Sequence, residues 1–449
     1  MTPLSASPIW RRQREFYEQK GPAAWIEDDI PWHMSSHAAL ATCYARLTAA
    51  WIDDLVGAGR VDRTETVRVI ELGSGAGRFA YAFVQVYEEI RRTLRLPRII
   101  YTLTDFAETN IAAFRAHPAW RSLAAEGLAD FMVFDAERPV LNATGPLVCI
   151  ANYVFDSLPQ DYFRVADGVL SEGHVPALSQ ADTLRFDYAV VAGERYADPA
   201  LAAVLKELSA TKGPRSFLLP TVPLRCLEAL RAASGGELLA LVGDKAHVRI
   251  EDHDHDRAPI AVLHGAGAFS FNVSFPALAR WTEHQGGRAH VPAQRQSAFE
   301  ICALAVDGLS AAPRLADAYA EHVARVSPSD LHGIAAHVPP SFAGQSIDYY
   351  LSVMRACACD PSLVTRLVPE LMRFRKDARP SQVLQLRRVI AQAARVYLHV
   401  RDKDAFLSAA VTVLQAFGAP EAIDELAQDL EKTHGARVDV RAIARAALR

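Results

Sequence analysis

Residues 67–83 read VRVIELGSGAGRFAYAF. A β-branched apolar run carries an acid, Glu71, near its end. Gly73, Gly75 and Gly77 follow at alternate positions, and a run with helical spacing of apolar residues begins near Arg78. The pattern predicts a strand, a tight turn and a helix. Glycine is demanded in such a turn where a Cβ would block an approaching ligand or forbid the backbone dihedrals. The first N–H groups of a helix lack intrahelical partners, so the turn also favours an electronegative group.

Outward from this turn the chain alternates. RIIYTLTD (98–105), ADFMVFD (129–135), GPLVCIANYVFD (145–156) and GGELLALVGD (235–244) are short apolar runs. Helical patterns are predicted between them at about 77–94, 107–125, 158–164 and 221–233. The rhythm implies an α/β, Rossmann-like parallel sheet with helices on both faces. Residues 168–198 lack a helical pattern and read as an insertion of strands or loops. SFPALARWTEHQGG (274–287) reads as a helix stopped by two glycines, and SAFEICALAV (297–306) as the last strand. Residues 8–57 are expected to be helical, with Leu40, Tyr44, Leu47 and Trp51 on one face and Ser35 or Ser36 as the cap. Beyond about 310, Pro313, Pro328, Pro339 and Pro340 mark a boundary. The rest reads as helices: Asp360-Pro361 starts one, and Leu386, Val389, Ile390, Ala393 and Val396 form a stripe on another. Gly418 and Pro420 separate the last two. The expected domains are an N-terminal helical segment (1–66), an α/β domain (67–310) and an all-α domain (311–449) of antiparallel, tetratricopeptide-like pairs.

Composition narrows the function. The 449 residues exceed one small core. A net charge of −4 gives no basic excess, which argues against bulk nucleic-acid binding. The six cysteines include no CxxC pair, so reduced, buried thiols are expected rather than a zinc site. The first residues carry no long apolar segment, and a cytoplasmic protein with no membrane partner is expected.

What sits on the turn follows from its spacing. Dinucleotide sites use GxGxxG to seat a pyrophosphate, but Arg78 stands where the third glycine would be. The order E-x-G-x-G-x-G resembles the loop of class I S-adenosylmethionine (AdoMet) methyltransferases. AdoMet carries no phosphate, so Glu71 beside the loop is tolerated. Three later strand ends agree. Asp105 can accept both hydroxyls of a ribose, Asp135 can meet an adenine amine, and Asn152 falls near the methyl donor. Each is singly an ordinary solvated strand end; in order, with Glu71, Gly73, Ser74, Gly75 and Gly77, they fit one ligand along the carboxyl edge of the sheet.

ANYVFDSLPQDYF (151–163) narrows the match, because it resembles the NExFDALPV stretch of the MidA family, which includes the mitochondrial complex I assembly methyltransferase. IPWHMSSHAALATCYARL (30–47), GGELLALVGD and FNVSFPALARWTEHQGG (271–287) resemble other segments of the family, the first being one that folds over the cofactor. The resemblance spans roughly residues 15–306. It implies a seven-stranded methyltransferase sheet and, in one branch, arginine N-methylation. Gly73, Gly75, Gly77, Asn152, Asp156, Leu158 and Pro159 match the family pattern. The Glu that follows the Asn in the family is Tyr153 here, so a guanidinium acceptor loses the carboxylate that would orient it.

Candidates for a base are Asp156, Asp161 and His264. Asp156 has an equally simple reading as the cap of a short helix. His253 and His255 in EDHDHDR (251–257) alternate with acids but read as a solvated loop, not a metal site. The expected reaction is methyl transfer to an unidentified acceptor. A protein or peptide held by the C-terminal helices is the expected partner, with a homodimer as the alternative use of that surface. A non-catalytic AdoMet-binding scaffold is the competing reading, and a nicotinamide oxidoreductase falls on the misplaced glycine.

Overall fold

The computed structural model describes residues 1–21, 23, 34–176, 179–211, 213–264, 268–341, 344–400, 405–434, 440 and 443. Part of the 8–57 helical expectation, the IPWH of the N-terminal segment and Gly265 beside His264 lie outside these residues.

Seven strands form the central sheet: β1 (Thr66–Leu72), β2 (Arg98–Asp105), β3 (Ala129–Val133), β4 (Leu147–Asn152), β5 (Leu238–Asp244), β6 (Arg288–His290) and β7 (Glu300–Val306). Their order is β6-β7-β5-β4-β1-β2-β3. β1 to β5 run parallel, while β7 is antiparallel to β5 and β6 to β7. This is the seven-stranded sheet the resemblance implies. The strand order reverses between β1 and β4, and a sheet of this kind binds ligands at the carboxyl ends beside that switch.

Period-two alternation buries both faces. Val67, Val69, Val148, Ile150, Leu239 and Leu241 enter one core, and Ile70, Leu72, Leu147, Cys149, Ala240 and Val242 the other. Helices cover both: α2 (Ala38–Gly57), α3 (Arg78–Leu94), α4 (Glu108–Ala116), α5 (Pro118–Ala125), α6 (Pro199–Ser209), α7 (Thr221–Ala233) and α8 (Phe275–His284), while α1 (Pro8–Lys20) packs through Ile9 and Trp10 against Tyr162, Phe269 and Phe271. Leu40, Tyr44, Leu47 and Trp51 are fully buried, as their spacing predicts. The cap of α2 is His37, whose Nδ1 accepts from Ala39 N at 3.2 Å, and not Ser35 or Ser36. The single helix expected at 107–125 breaks at His117, because Pro118 disfavours helical dihedrals in the residue before it.

Residues 158–164 are a correction. The predicted helix is one 3₁₀ turn, Phe155–Ser157, followed by the strand Asp161–Ala166. That strand belongs to a second, antiparallel sheet with Thr2–Pro3, Val169–Val175, Asp187–Val190 and Arg215–Leu219. Asp167 and Gly168, both at positive φ (51° and 76°), make the two-residue hairpin between its first long strands. The insertion at 168–198 is therefore strand-bearing, as expected. EDHDHDR staples this sheet: Asp254 pairs with Arg215 at 2.6 Å and Asp256 with Arg164. His253, buried, shares a 3.0 Å hydrogen bond with Ser274 Oγ, and burial pulls its pKa down to about 3.

Past 310 the described chain is helical: α9 (Pro313–Tyr319) with a π turn, α10 (Pro328–Ser341), α11 (Ile347–Ala356), α12 (Pro361–Met372), α13 (Pro380–Val396), α14 (Ala405–Ala416) and α15 (Pro420–His434). Most of these share a core of their own, but they are fastened to the rest. Asp54 of α2 accepts from Leu315 N at 3.0 Å. Asp360 caps α12 through Ser362 N at 2.9 Å and also accepts from Ala38 N, the first residue of α2, at 2.7 Å. All six cysteines are free and buried. Among the described residues, no helix is long and apolar enough to cross a membrane.

Candidate functional site

The glycine turn is built as its spacing demands. Gly73, Gly75 and Gly77 all have positive φ (61°, 55° and 77°). A Cβ on Gly77 would lie 2.9 Å from Trp120 Nε1, so dihedral and space both require glycine. Ser74 fixes the turn to β2: its N–H donates to Thr104 O at 2.9 Å and its Oγ accepts from Thr104 N at 3.0 Å. Gly77 caps α3 with no side-chain acceptor.

A cleft opens over this turn, lined by Glu71, Gly73, Ser74, Gly75, Asp105, Asp135 and Asn152. Of the cofactor candidates only Gly77 lies outside the lining, between Ala76 and Arg78, which belong to it. Asp105 is 2% exposed. Its Oδ1 accepts from Ala107 N at 2.9 Å and its Oδ2 from Asn110 Nδ2 at 2.8 Å. Each oxygen keeps a second lone pair. Burial raises the pKa of this group, and Ala107, Asn110, the Phe106 backbone and the Arg14 charge oppose that shift. Phe106 and Phe134 border the same region as Asp135. Asp135 holds Arg14 Nη1 at 3.0 Å.

Glu71 and Asn152 bring unpaired atoms to the cleft. Burial pushes the Glu71 carboxyl up to about 7, with Ser74 and Tyr101 pulling the other way. Its Oε2 is buried without a hydrogen-bond partner among the described residues. Asn152 Oδ1 accepts from Tyr44 Oη at 2.9 Å, and its Nδ2 is buried with no partner among the described residues. A Cβ on Gly243 of β5 would fall 2.7 Å from Asn152 Oδ1 and 2.6 Å from Tyr44 Oη. Glycine at 243 therefore makes the room in which this amide is held. Buried polar atoms left unpaired are costly and are expected to face a ligand or water.

Ser35 and Ser36, in the segment expected to fold over the cofactor, line the cleft, and so do Trp10, Gln13, Arg14 and Tyr17 of α1, which the sequence reading did not single out. Gln13 Nε2 donates to Ser157 O at 3.3 Å, and the Arg14 guanidinium lies 4.3 Å from the Phe106 ring centre. The spacing of Trp10, Gln13, Arg14 and Tyr17, on one face of a helix, was the available signal.

The three candidate bases separate. Asp156 and His264 meet in one polar cluster with Asp244, Lys245 and Ser270. Lys245 Nζ lies 3.0 Å from His264 Nε2, 2.8 Å from Ser270 Oγ and 3.8 Å from Asp156 Oδ2. Asp244 Oδ2 accepts from Phe155 N at 3.0 Å and Asp156 N at 3.3 Å. Burial raises both carboxyls, and Asp156 adds to the rise at Asp244. Burial first, then Lys245, holds His264 down to about 4. Asp161 lies elsewhere: it opens a strand of the second sheet and accepts from Tyr196 Oη at 2.7 Å. Tyr153 lines the cleft with its backbone at φ 53°, a strained value for a bulky residue. Its ring packs edge-on against Phe299 at 4.8 Å.

No family model and no curated protein matches this sequence. Solved structures similar to it include a COG1565 superfamily protein from Burkholderia thailandensis, 16% identical with a TM-score of 0.43, over 68% of this chain and 88% of that one. A second COG1565 superfamily member from the same organism, bound to S-adenosyl-homocysteine, is 17% identical with a TM-score of 0.36, over 64% and 81%. The 1,6-didemethyltoxoflavin-N1-methyltransferase of that organism is 11% identical with a TM-score of 0.32, over 68% and 91%. The fold rests on the strand order itself, and the chemistry on the cleft.

Proposed function

We propose that this chain is an AdoMet-dependent methyltransferase whose cofactor lies along the carboxyl ends of β1, β2, β3 and β4. The observation that carries the reading is Asp105: a buried carboxylate at the end of β2, beside a glycine turn, with lone pairs left for a ribose diol. Asp135, Phe106 and Phe134 would receive the adenine, and Glu71, Gly73 and Gly75 the amino-acid end. The acids along the cleft, Glu71, Asp105, Asp135 and Glu137, would repel a pyrophosphate, while Arg14 is already paired with Asp135. That supports a cofactor with positive charge over a dinucleotide.

When bound, AdoMet supplies an electrophilic methyl group. The protein's part is positional: it holds the acceptor in line and excludes water. Helix α1 closes the cleft through Gln13 and Arg14, and the Asn152 amide sits with an open donor where β4 ends. The C-terminal helices, with their own core, are proposed to hold a protein or peptide acceptor.

A second reading, an AdoMet-binding scaffold without catalysis, draws on Tyr153 in place of the family's Glu. Incubation of the protein and a cell lysate with methyl-tritiated AdoMet separates the two. Transfer to lysate components, reduced at least tenfold by Asp105→Ala, is expected. No transfer from a protein that binds AdoMet would establish the scaffold.

A further inference from the structure

The cluster of Lys245, His264, Ser270, Asp156 and Asp244 is assembled with care and is not needed to hold the proposed cofactor. Three segments are stitched together to make it: Phe271 N donates to Asp156 O at 2.9 Å, Val273 N to Lys245 O at 2.8 Å, and Tyr153 N to Gly243 O at 2.8 Å. Its cation is Lys245, whose side chain is 19% exposed. The ammonium lies 5.8 Å from the centre of the Tyr153 ring, which lines the cleft. The cluster therefore adjoins the cleft beside Tyr153.

Its charge balance decides what it can accept. Lys245 Nζ stands 3.8 Å from Asp156 Oδ2 and is the cation that faces this carboxyl. His264 is neutral, and its Nε2 accepts a hydrogen bond from the Lys245 ammonium. A guanidinium acceptor would have to displace the lysine from Asp156 and would meet a like charge. It would also find a phenol ring, Tyr153, where the MidA family places a carboxylate. A carboxylate acceptor has neither difficulty. It can take a charge-assisted hydrogen bond from the ammonium on its exposed side. It also arrives ionised, with no proton to remove, so the missing Glu costs it nothing.

Resting on the AdoMet reading above, we propose that Lys245 binds the acceptor as a carboxylate and that the product is a methyl ester. In the transfer, an acceptor carboxylate oxygen forms the O–C bond, the methyl C–S bond breaks, and its electron pair stays on sulfur as a neutral thioether. No proton moves and no further reactant is required.

The test is calorimetry on the wild type, Lys245→Met and Lys245→Arg, in two stages. S-adenosylhomocysteine is titrated first, and equal affinity in all three shows that the variants are folded and the cofactor site intact. Sodium benzoate and agmatine are then titrated into the loaded proteins. The expected result is benzoate binding to wild type and Lys245→Arg, weakened at least tenfold in Lys245→Met, with agmatine weaker than benzoate in the wild type and Lys245→Arg. Agmatine binding in preference to benzoate, no benzoate binding to loaded wild type, or equal benzoate binding to Lys245→Met would overturn the assignment while leaving the cofactor reading intact. Failure of the wild type to bind S-adenosylhomocysteine would overturn both. A second readout uses the tritiated lysate products: methyl esters release volatile methanol in alkali, whereas methylated arginine does not. Alkali-stable counts alone would contradict the proposal.

Discussion

The two ends of the cleft are built by different means. The glycine-turn end takes its groups from successive strand ends, Glu71, Asp105, Asp135 and Asn152, each delivered by a local strand-then-turn pattern. The Lys245 end draws on three segments far apart in sequence, held together by backbone hydrogen bonds across residues 153–157, 243–245 and 264–273. The first end is specified by periodicity and glycine placement. The second exists only once the chain has folded. Gly243 belongs to both, because it makes room for Asn152 and directly precedes Asp244 and Lys245.

Breaking that shared point should give the largest effect. Gly243→Ala places a Cβ 2.3 Å from Phe299 Cζ. Overpacking of that kind costs about 3 kcal/mol, read as a lower denaturation midpoint, and should impair both ends together. Normal stability with normal ligand binding would show that the two ends are independent.

Glu71 sharpens the comparison from the cofactor side. Its carboxyl is raised to about 7 from an ordinary value near 4.5. The folded state therefore binds the proton more tightly than the unfolded chain. This contribution to stability is full below pH 4.5 and is lost as pH rises through about 7. Relative to Glu71→Gln, the wild type should lose roughly 2–3 kcal/mol between pH 5 and pH 8. Parallel pH profiles for the two proteins would contradict the burial described for this group.

Tyr44→Phe is the mildest cut. It removes the donor that Asn152 Oδ1 accepts at 2.9 Å and leaves a buried carbonyl unpaired, at a cost of about 1 kcal/mol. Cofactor affinity should fall severalfold while binding at the Lys245 end stays unchanged. Equal losses at both ends would mean that Asn152 serves the acceptor as well.

Legibility followed the same division. VRVIEL, the glycine turn and the strands that end at Asp105 and Asn152 are readable because strand period and turn chemistry coincide there. The 158–164 segment was misread as helical. Leu158 and Pro159 suggest a helix start, but Tyr162, Phe163 and Val165 are buried in a sheet whose other strands come from residues 2–3 and 215–219, and that non-local pairing leaves no local signature. Helix α6 begins just past the 168–198 insertion, in a stretch given no element, although Asp198 and Pro199 are a good cap and first-turn pair. Lys245 directly follows β5 and carries no local sequence signal. Its role depends on His264 and Ser270, which a hairpin of residues 262–270 brings to it. Asp161, attractive in sequence beside Asp156, faces Tyr196 because the chain turns into the second sheet between them.

The central claim is that the glycine-turn end holds an adenosyl ligand through Asp105, and calorimetric titration of S-adenosylhomocysteine into the wild type and Asp105→Ala tests it most directly. Binding by the wild type, weakened by about 2 kcal/mol or roughly 30-fold in a variant that remains folded, is the predicted result. Equal affinity in both proteins, or no binding by the wild type, would contradict the account.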